Sequence, residues 1–388
     1  MNNKPITSKP KIFITISSPF TKNIYKRMEL EYLKDYYDVW ILDCLDLFIP
    51  KQKDKITYSL FNIPNINLVK VSTRKEIISL INDQNPIFLL DSIGKSEYTF
   101  LIQSICKSNK LCYVYDASVN SIGSSRLKNN FLYFLSLFPH KTTKIIAYLI
   151  CSITYTKYIR PDIALSSSSI GTLWELSARK RILTVNQSFI NSFELESEDK
   201  NNKLDNKSFI LFLDDCLLHS FDFDLGHKKT NISKKDYFNS LDIFFNKLES
   251  QFNMPVFIAA HPNGLEYENY EKLFGHRKVI FNNSLALSKN CFFAMTHHSL
   301  SIHYPILFKR QIIFLELNEL SDDIKRLQKN YTKSLGSKIY NIQELSSSKV
   351  VLKKVNKKKY NKFIDFYINS SSNKILHQYN PLISYFNS

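Results

Sequence analysis

The stretch VFIAAHPNGLEYENYEKLFGHRKVIFNNSLALSKNCFFAMTHHSLSIHYPILFKRQIIFL, residues 256–315, decides the fold. Residues 256–260 form a short apolar run that stops at His261-Pro262-Asn263-Gly264. A second run covers 278–281, and a third, 291–296, stops at His297-His298-Ser299. Ile302, Ile306 and Leu307 then give a helical pattern before a fourth run at 311–315. Short apolar runs alternating with helical segments predict a parallel sheet with helices on its faces. Polar residues collect where the runs end, which is where open α/β sheets bind ligands.

The alternation extends in both directions. Residues 208–213 (SFILFL) read as a strand closed by Asp214-Asp215, and 234–252 as an amphipathic helix carrying Tyr237, Phe238, Leu241, Phe244, Phe245 and Leu248. Further helices are expected from 322 and over 357–369. Upstream, 194–207 (ELESEDKNNKLDNK) is polar with no apolar period and reads as a linker. Before it, 11–17, 37–43, 86–90, 111–115, 162–165 and 183–185 read as strands, with helices at 24–36 and 171–179 among them. A serine run at 166–169 precedes the latter helix and suits either an oxyanion or a capped turn. The expected fold class is therefore α/β, with two Rossmann-like domains facing across a cleft. Their ranges are 1–193 and 208–388, with the linker at 194–207 and a C-terminal helix that could cross back to the N-terminal half. The loop after the first strand, Ser17 to Lys22, lacks GxGxxG, so a dinucleotide cofactor is not expected.

A length of 388 residues fits two ordinary domains. Lysine plus arginine number 52 against 35 acids, a net +17 that favours anionic partners: nucleic acid, acidic lipid headgroups or a phosphorylated substrate. Compositional drift toward Lys, Asn and Ile accounts for the same charge. Nucleic acid is set aside as a partner, because the aromatic residues lie in apolar runs rather than in an exposed stacking stripe. None of the six cysteines forms a CxxC pair, so they read as buried thiols of a reduced compartment. No signal-peptide pattern opens the chain, and the longest apolar stretch, near 145–154, is too short to span a bilayer. A cytoplasmic protein is expected. Residues 131–158, apolar and punctuated by Lys141, Lys144 and Lys157, suit either a helix lying on an anionic inner-membrane surface or a buried helix pair.

The chemistry-bearing residues sit at the run ends. Asp214 or Asp215 could act as general base toward a hydroxyl, with the like charge beside it raising one pKa; capping and solvation are the alternative roles. His261, set by Pro262, could meet a phosphate or protonate a leaving group. Thr296, His298, Ser299 and Ser301 open a helix, where hydroxyls and backbone N–H groups suit a phosphate. Glu316 follows the next run and could reach a ribose hydroxyl. His298 and His303 are five apart, unlike the i, i+4 pair a metal prefers, and no metal site is expected.

The order of these motifs resembles that of the GT-B glycosyltransferases of bacterial surface polysaccharide assembly, the lipopolysaccharide and capsule transferases in particular. It shares a plan with bacterial sialyltransferases: an acidic pair, here Asp214-Asp215, then His261-Pro262, then serines, here Ser299 and Ser301. Cys216 stands where those enzymes usually carry Gly, and Leu300 separates the serines. The resemblance implies a metal-independent transferase without a cofactor. Its donor would be a nucleotide sugar, with a CMP-activated ulosonic acid among the candidates. The acceptor would be an oligosaccharide or a lipid-linked saccharide. It implies an acceptor-side N-terminal domain and a nucleotide-sugar-binding C-terminal one. One Asp would deprotonate the acceptor, His261 would contact the donor phosphate or assist departure, and the serines would hold the phosphate. A binding subunit of an assembly complex, keeping the fold without the chemistry, is the alternative.

Overall fold

The computed structural model describes residues 9–17, 20–48, 66–92, 97–117, 160–168, 175, 177–186, 189–190, 209–218, 232–266, 268–344, 349–368 and 377–388. The expected linker 194–207, the segment 131–158 and most of the helix expected at 171–179 fall outside them. The chain divides into two compact units, one built from 1–120, 124–187 and 369–388, the other from 121–123 and 188–368.

The N-terminal unit holds a seven-stranded parallel sheet in the order β3-β2-β1-β4-β5-β6-β7. Its strands are β1 (Lys11–Ile16), β2 (Asp38–Asp43), β3 (Asn67–Lys70), β4 (Phe88–Asp91), β5 (Cys112–Asp116), β6 (Ile163–Ser166) and β7 (Lys180–Leu183). Alternate residues of β1 go to opposite faces: Ile12, Ile14 and Ile16 join one apolar cluster, Phe13 the other. Burial on both faces is what makes such strands read as continuous apolar runs rather than alternating ones. The last segment of the chain packs here, with Tyr379, Leu382 and Ile383 in the first cluster. Its Tyr379 hydroxyl donates to the buried Asp116 carboxylate at 2.8 Å. The range 208–388 read from sequence for the second domain thus overruns by this segment.

The C-terminal unit repeats the plan with six parallel strands in the order β10-β9-β8-β11-β12-β13. They are β8 (Ile210–Leu213), β9 (Val256–Ala260), β10 (Lys278–Phe281), β11 (Phe293–Thr296), β12 (Gln311–Glu316) and β13 (Lys338–Asn341). Strand order reverses between β8 and β11, which makes their carboxyl ends the topological switch point where such sheets bind ligands. Helix Lys234–Phe252 covers one face with Tyr237, Leu241, Phe244, Phe245 and Leu248. Ser233 caps it by accepting the Asp236 N–H at 3.1 Å, and Asn253, left-handed at φ 51°, ends it. Helix Asp322–Leu335 is capped likewise by Ser321 and stopped by Gly336 at φ 77°.

β3 and β13 have no counterpart in the sequence reading. Both are four-residue edge strands that are only half-buried or exposed, so they lack the apolar run by which inner strands are recognised. β12 runs one residue beyond the run at 311–315, so Glu316 ends the strand instead of following it.

Candidate active site at the switch point of the C-terminal sheet

β8 ends at Leu213, and the two residues after it turn to opposite neighbours. Asp214 reaches toward β9. Its Oδ2 accepts the His261 backbone N–H at 3.1 Å and the Tyr270 hydroxyl at 2.7 Å, while Oδ1 accepts the Cys216 N–H at 3.0 Å. Asp215 reaches toward β11. Its Oδ1 accepts the Thr296 hydroxyl at 3.0 Å, and its Oδ2 lies 2.9 Å from the His298 backbone N and 3.3 Å from His298 Nδ1. The acidic pair is therefore a two-way staple across the three central strands.

Both carboxylates are buried, at 4% and 6% exposure, yet their protonation is pushed in opposite directions. Burial raises the Asp214 carboxyl above its ordinary value despite its three donors. Burial works the same way on Asp215, but His298, through its charge and its hydrogen bonds, holds that carboxyl below the ordinary range. One carboxylate of the pair is thus raised, as the sequence suggested, with desolvation rather than the adjacent charge as the leading cause. The side chain of His298 is 26% exposed against 1% for that of Asp215, so the pair presents an imidazole backed by a buried anion.

The turn after β11 is self-capped. Thr296 is fully buried, and its hydroxyl both donates to Asp215 and accepts the Ser299 N–H at 3.1 Å. Ser299 caps the short helical turn Leu300–Ile302, its Oγ accepting the Ser301 N–H at 3.3 Å. Helix His303–Leu307 continues it. The N–H groups of Ser299 and Ser301 are thus used inside the turn, and an anion there would also meet serine hydroxyls and the His298 imidazole.

His297 belongs to the core. It is fully buried, its Nδ1 donates to the Leu315 carbonyl at 2.7 Å, and Nε2 faces the Tyr237 hydroxyl at 3.2 Å. A carbonyl only accepts, so the proton sits on Nδ1 and Tyr237 donates to Nε2. Burial keeps this imidazole neutral by lowering its pKa. Gln328 fixes the same corner, its Nε2 donating to the carbonyls of His297 at 3.0 Å and Leu315 at 2.7 Å.

Of the residues expected from sequence, Asp214, Asp215, His261, Thr296, His298, Ser299 and Ser301 are linked into one hydrogen-bonded edge. Pro262 opens the 3₁₀ turn Pro262–Glu266 beside it. Glu316 ends β12, one strand further out. Among the described residues no group of three or more His, Cys, Asp or Glu is placed to hold a metal ion. Tyr270 and Gln328 escaped the sequence reading. The signal for Tyr270 lies in Gly264: a Cβ there would sit 2.6 Å from the Tyr270 ring, so the glycine is what lets that ring reach Asp214. Cys216 has φ 51°, a left-handed conformation that glycine adopts without cost.

No protein-family model matches the sequence, and no curated protein sequence does. Solved structures share its chain-wide plan at low similarity. A UDP-GlcNAc 2-epimerase of Methanocaldococcus jannaschii, solved with UDP-GlcNAc and UDP, is 13% identical, with a TM-score of 0.48 over 91% of this chain and 98% of its own. MurG of Acinetobacter baumannii is 8% identical, with a TM-score of 0.44 over 87% and 88%. The calicheamicin glycosyltransferase CalG4 is 8% identical, with a TM-score of 0.45 over 87% of each chain. Likeness at this level assigns no activity to this chain.

Proposed function

We infer that the protein transfers a sugar from a nucleotide-sugar donor to a saccharide or lipid-linked acceptor in bacterial surface polysaccharide synthesis. A CMP-activated ulosonic acid is one candidate donor. The observation that carries this reading is the Asp215–His298 pair at the β8/β11 switch point, a partly exposed imidazole held by a buried, ionised carboxylate. His298 takes the proton of the acceptor hydroxyl through its other ring nitrogen. The acceptor oxygen bonds to the anomeric carbon as the carbon–oxygen bond to phosphate breaks, and the electron pair leaves on the nucleotide phosphate. Asp215 acts as a positioning residue, fixing the tautomer and angle of His298. Asp214 braces the β8 and β9 ends. His261, with the Ser299 and Ser301 hydroxyls, meets the leaving phosphate, so neither metal nor cofactor takes part. A lipid-linked acceptor places the work at the inner membrane's cytoplasmic face.

Thermal shift against a panel of nucleotide sugars, followed by product analysis with the donor that binds, tests this. The expected result is one stabilising donor and turnover that His298→Gln sharply reduces while the donor still binds. If no nucleotide sugar shifts the melting temperature, the reading fails. The internal use of both carboxylates favours a second reading, a binding subunit without chemistry. Donor binding with no turnover or donor hydrolysis would support it.

A further inference from the structure

The positive charge of the C-terminal unit lies at the edge opposite the switch point. Residues 349–368 hold seven lysines and one acid, Asp365, a net +6 of the chain's +17. Three contacts fix where this segment sits. The Lys353 carbonyl accepts from Gln311, the first residue of β12, at 3.1 Å. The Tyr360 hydroxyl donates to the carbonyl of Arg310, just before β12, at 3.0 Å. Lys359 Nζ donates to the carbonyl of Lys333, in the last turn of the helix that leads into β13, at 3.3 Å. All six strands are parallel, so their amino ends share one edge, and the carboxylates and histidines of the candidate site occupy the other. Lysines at the amino edge therefore cannot serve a donor phosphate at the carboxyl edge.

We propose that this amino edge, centred on 349–362, is a docking surface for anionic lipid headgroups. Lys353, Lys354, Lys357, Lys358, Lys359 and Lys362 are all exposed. Lys309 joins them, its Nζ 2.6 Å from Asn361 Oδ1. The chemistry favours a lipid surface over nucleic acid on two grounds. The charges of the segment are lysine without arginine, point charges suited to a diffuse anionic layer rather than to forked recognition of phosphates and bases. The two rings set among its lysines are buried, Tyr360 and Phe363 each 2% exposed, and the half-buried Phe366 and Tyr367 lie beyond the lysine run, whereas Val351, between Lys349 and Lys353, is 55% exposed as an aliphatic contact. The proposal rests on the membrane reading above and is independent of the transferase reading. It places a membrane contact outside 131–158, the segment for which the sequence left open a membrane surface or a buried helix pair.

Co-sedimentation tests it, using vesicles of phosphatidylcholine alone and with phosphatidylserine added, at low and high salt. Wild type is expected to bind only the phosphatidylserine vesicles and to release in high salt. Replacing Lys353, Lys354, Lys357 and Lys358 together by Glu should weaken partition by about a hundredfold or more, since each surface lysine contributes several-fold. The same four changed to Gln should lose about tenfold or more, and this milder variant decides if the Glu form does not melt cooperatively. Wild type failing to bind phosphatidylserine vesicles overturns both this surface and the membrane reading. Equal binding by wild type and both variants overturns this surface and leaves the membrane reading to another segment. Tighter binding to single-stranded RNA than to vesicles, lost in the variants, makes the surface a nucleic-acid one and overturns the proposal.

Discussion

Oδ2 of Asp215 lies 2.9 Å from the backbone nitrogen of His298 and 3.3 Å from its Nδ1, so one buried oxygen holds both the main chain and the ring of the same residue. An imidazole held this way presents its second nitrogen in one tautomer. His298→Gln should reduce turnover by about two to four orders of magnitude, as expected for loss of a proton-transfer group. Asp215→Asn should do the same through His298. Because the two act as a unit, the double variant should be no slower than the slower single one. Steady-state kinetics of the three variants would show this. Multiplicative losses would mean that the residues act separately.

Asp214 yields a stability prediction through Tyr270 and Gly264. Tyr270→Phe removes one of three donors from a buried carboxylate and should cost about 1–3 kcal/mol. Gly264→Ala should be destabilising through the same contact, because the new methyl meets the ring at 2.6 Å. Urea titration of both single variants and the double should give a double-variant loss smaller than the sum. Additive losses would show that Gly264 does not act through Tyr270.

The strand ends at Leu213, Ala260 and Thr296 were legible because an apolar run buried on both faces stops abruptly at polar residues, and nothing but packing sets that signal. The candidate edge followed from the same signal. The division of labour within Asp214-Asp215 was not legible. Two adjacent aspartates look equivalent in sequence, and only the sheet order shows that one faces β9 and its neighbour β11. The sequence reading named His298 and not His297 for the site, and the structure shows the contrast between these consecutive residues, one turned into the core and the other toward solvent. The +17 charge pointed to an anion but not to an edge. The placement of the +6 of residues 349–368 at the amino ends of the strands depends on long-range contacts such as Gln311 with Lys353.

Cys216 combines a left-handed φ of 51° with 1% exposure. Glycine would relieve backbone strain of about 1–2 kcal/mol but forfeit a buried thiol of similar worth. Cys216→Gly should therefore leave stability within about 1 kcal/mol of wild type. Cys216→Val, β-branched in the same conformation, should lose about 2 kcal/mol or more. Chemical denaturation separates the two, and equal losses would argue against strain at this position.

Arg277 is a buried cation in the C-terminal unit, its side chain 1% exposed. Its Nη1 lies 2.6 Å from Asp242 Oδ1, its Nη2 2.9 Å from Glu249 Oε2 and 2.8 Å from Asn246 Oδ1, and the guanidinium stacks over Phe245. Glu249 also accepts the Val256 N–H at 2.9 Å, so the cluster joins helix Lys234–Phe252 to the start of β9. Arg277→Ala strands Glu249 and should cost about 3–5 kcal/mol. Arg277→Lys keeps the charge but not the fork and should recover less than half of that loss. Full recovery by lysine would reduce the cluster to simple charge pairing.

His303 sets a pH dependence. It is 2% exposed, packs near the Phe363 ring, and its Nε2 has no hydrogen-bond partner. Burial pushes its pKa down from 6.5 to about 4. The unfolded chain takes up a proton at the ordinary value, while the folded chain refuses it until near 4. Between those two pH values the unfolded state binds more protons. The contribution is therefore fully present above pH 6.5 and is lost as pH falls toward about 4. The slope within this window approaches about 1.4 kcal/mol per pH unit. His297, neutral by burial as well, adds a slope of the same sign. His303→Phe keeps a ring in the apolar site and removes only the first of these contributions. Folding free energies of the two proteins, measured by denaturant titration from pH 7 down to pH 4, should then fall more steeply for wild type, with the variant flatter. Parallel curves would show that His303 is not held neutral by the fold.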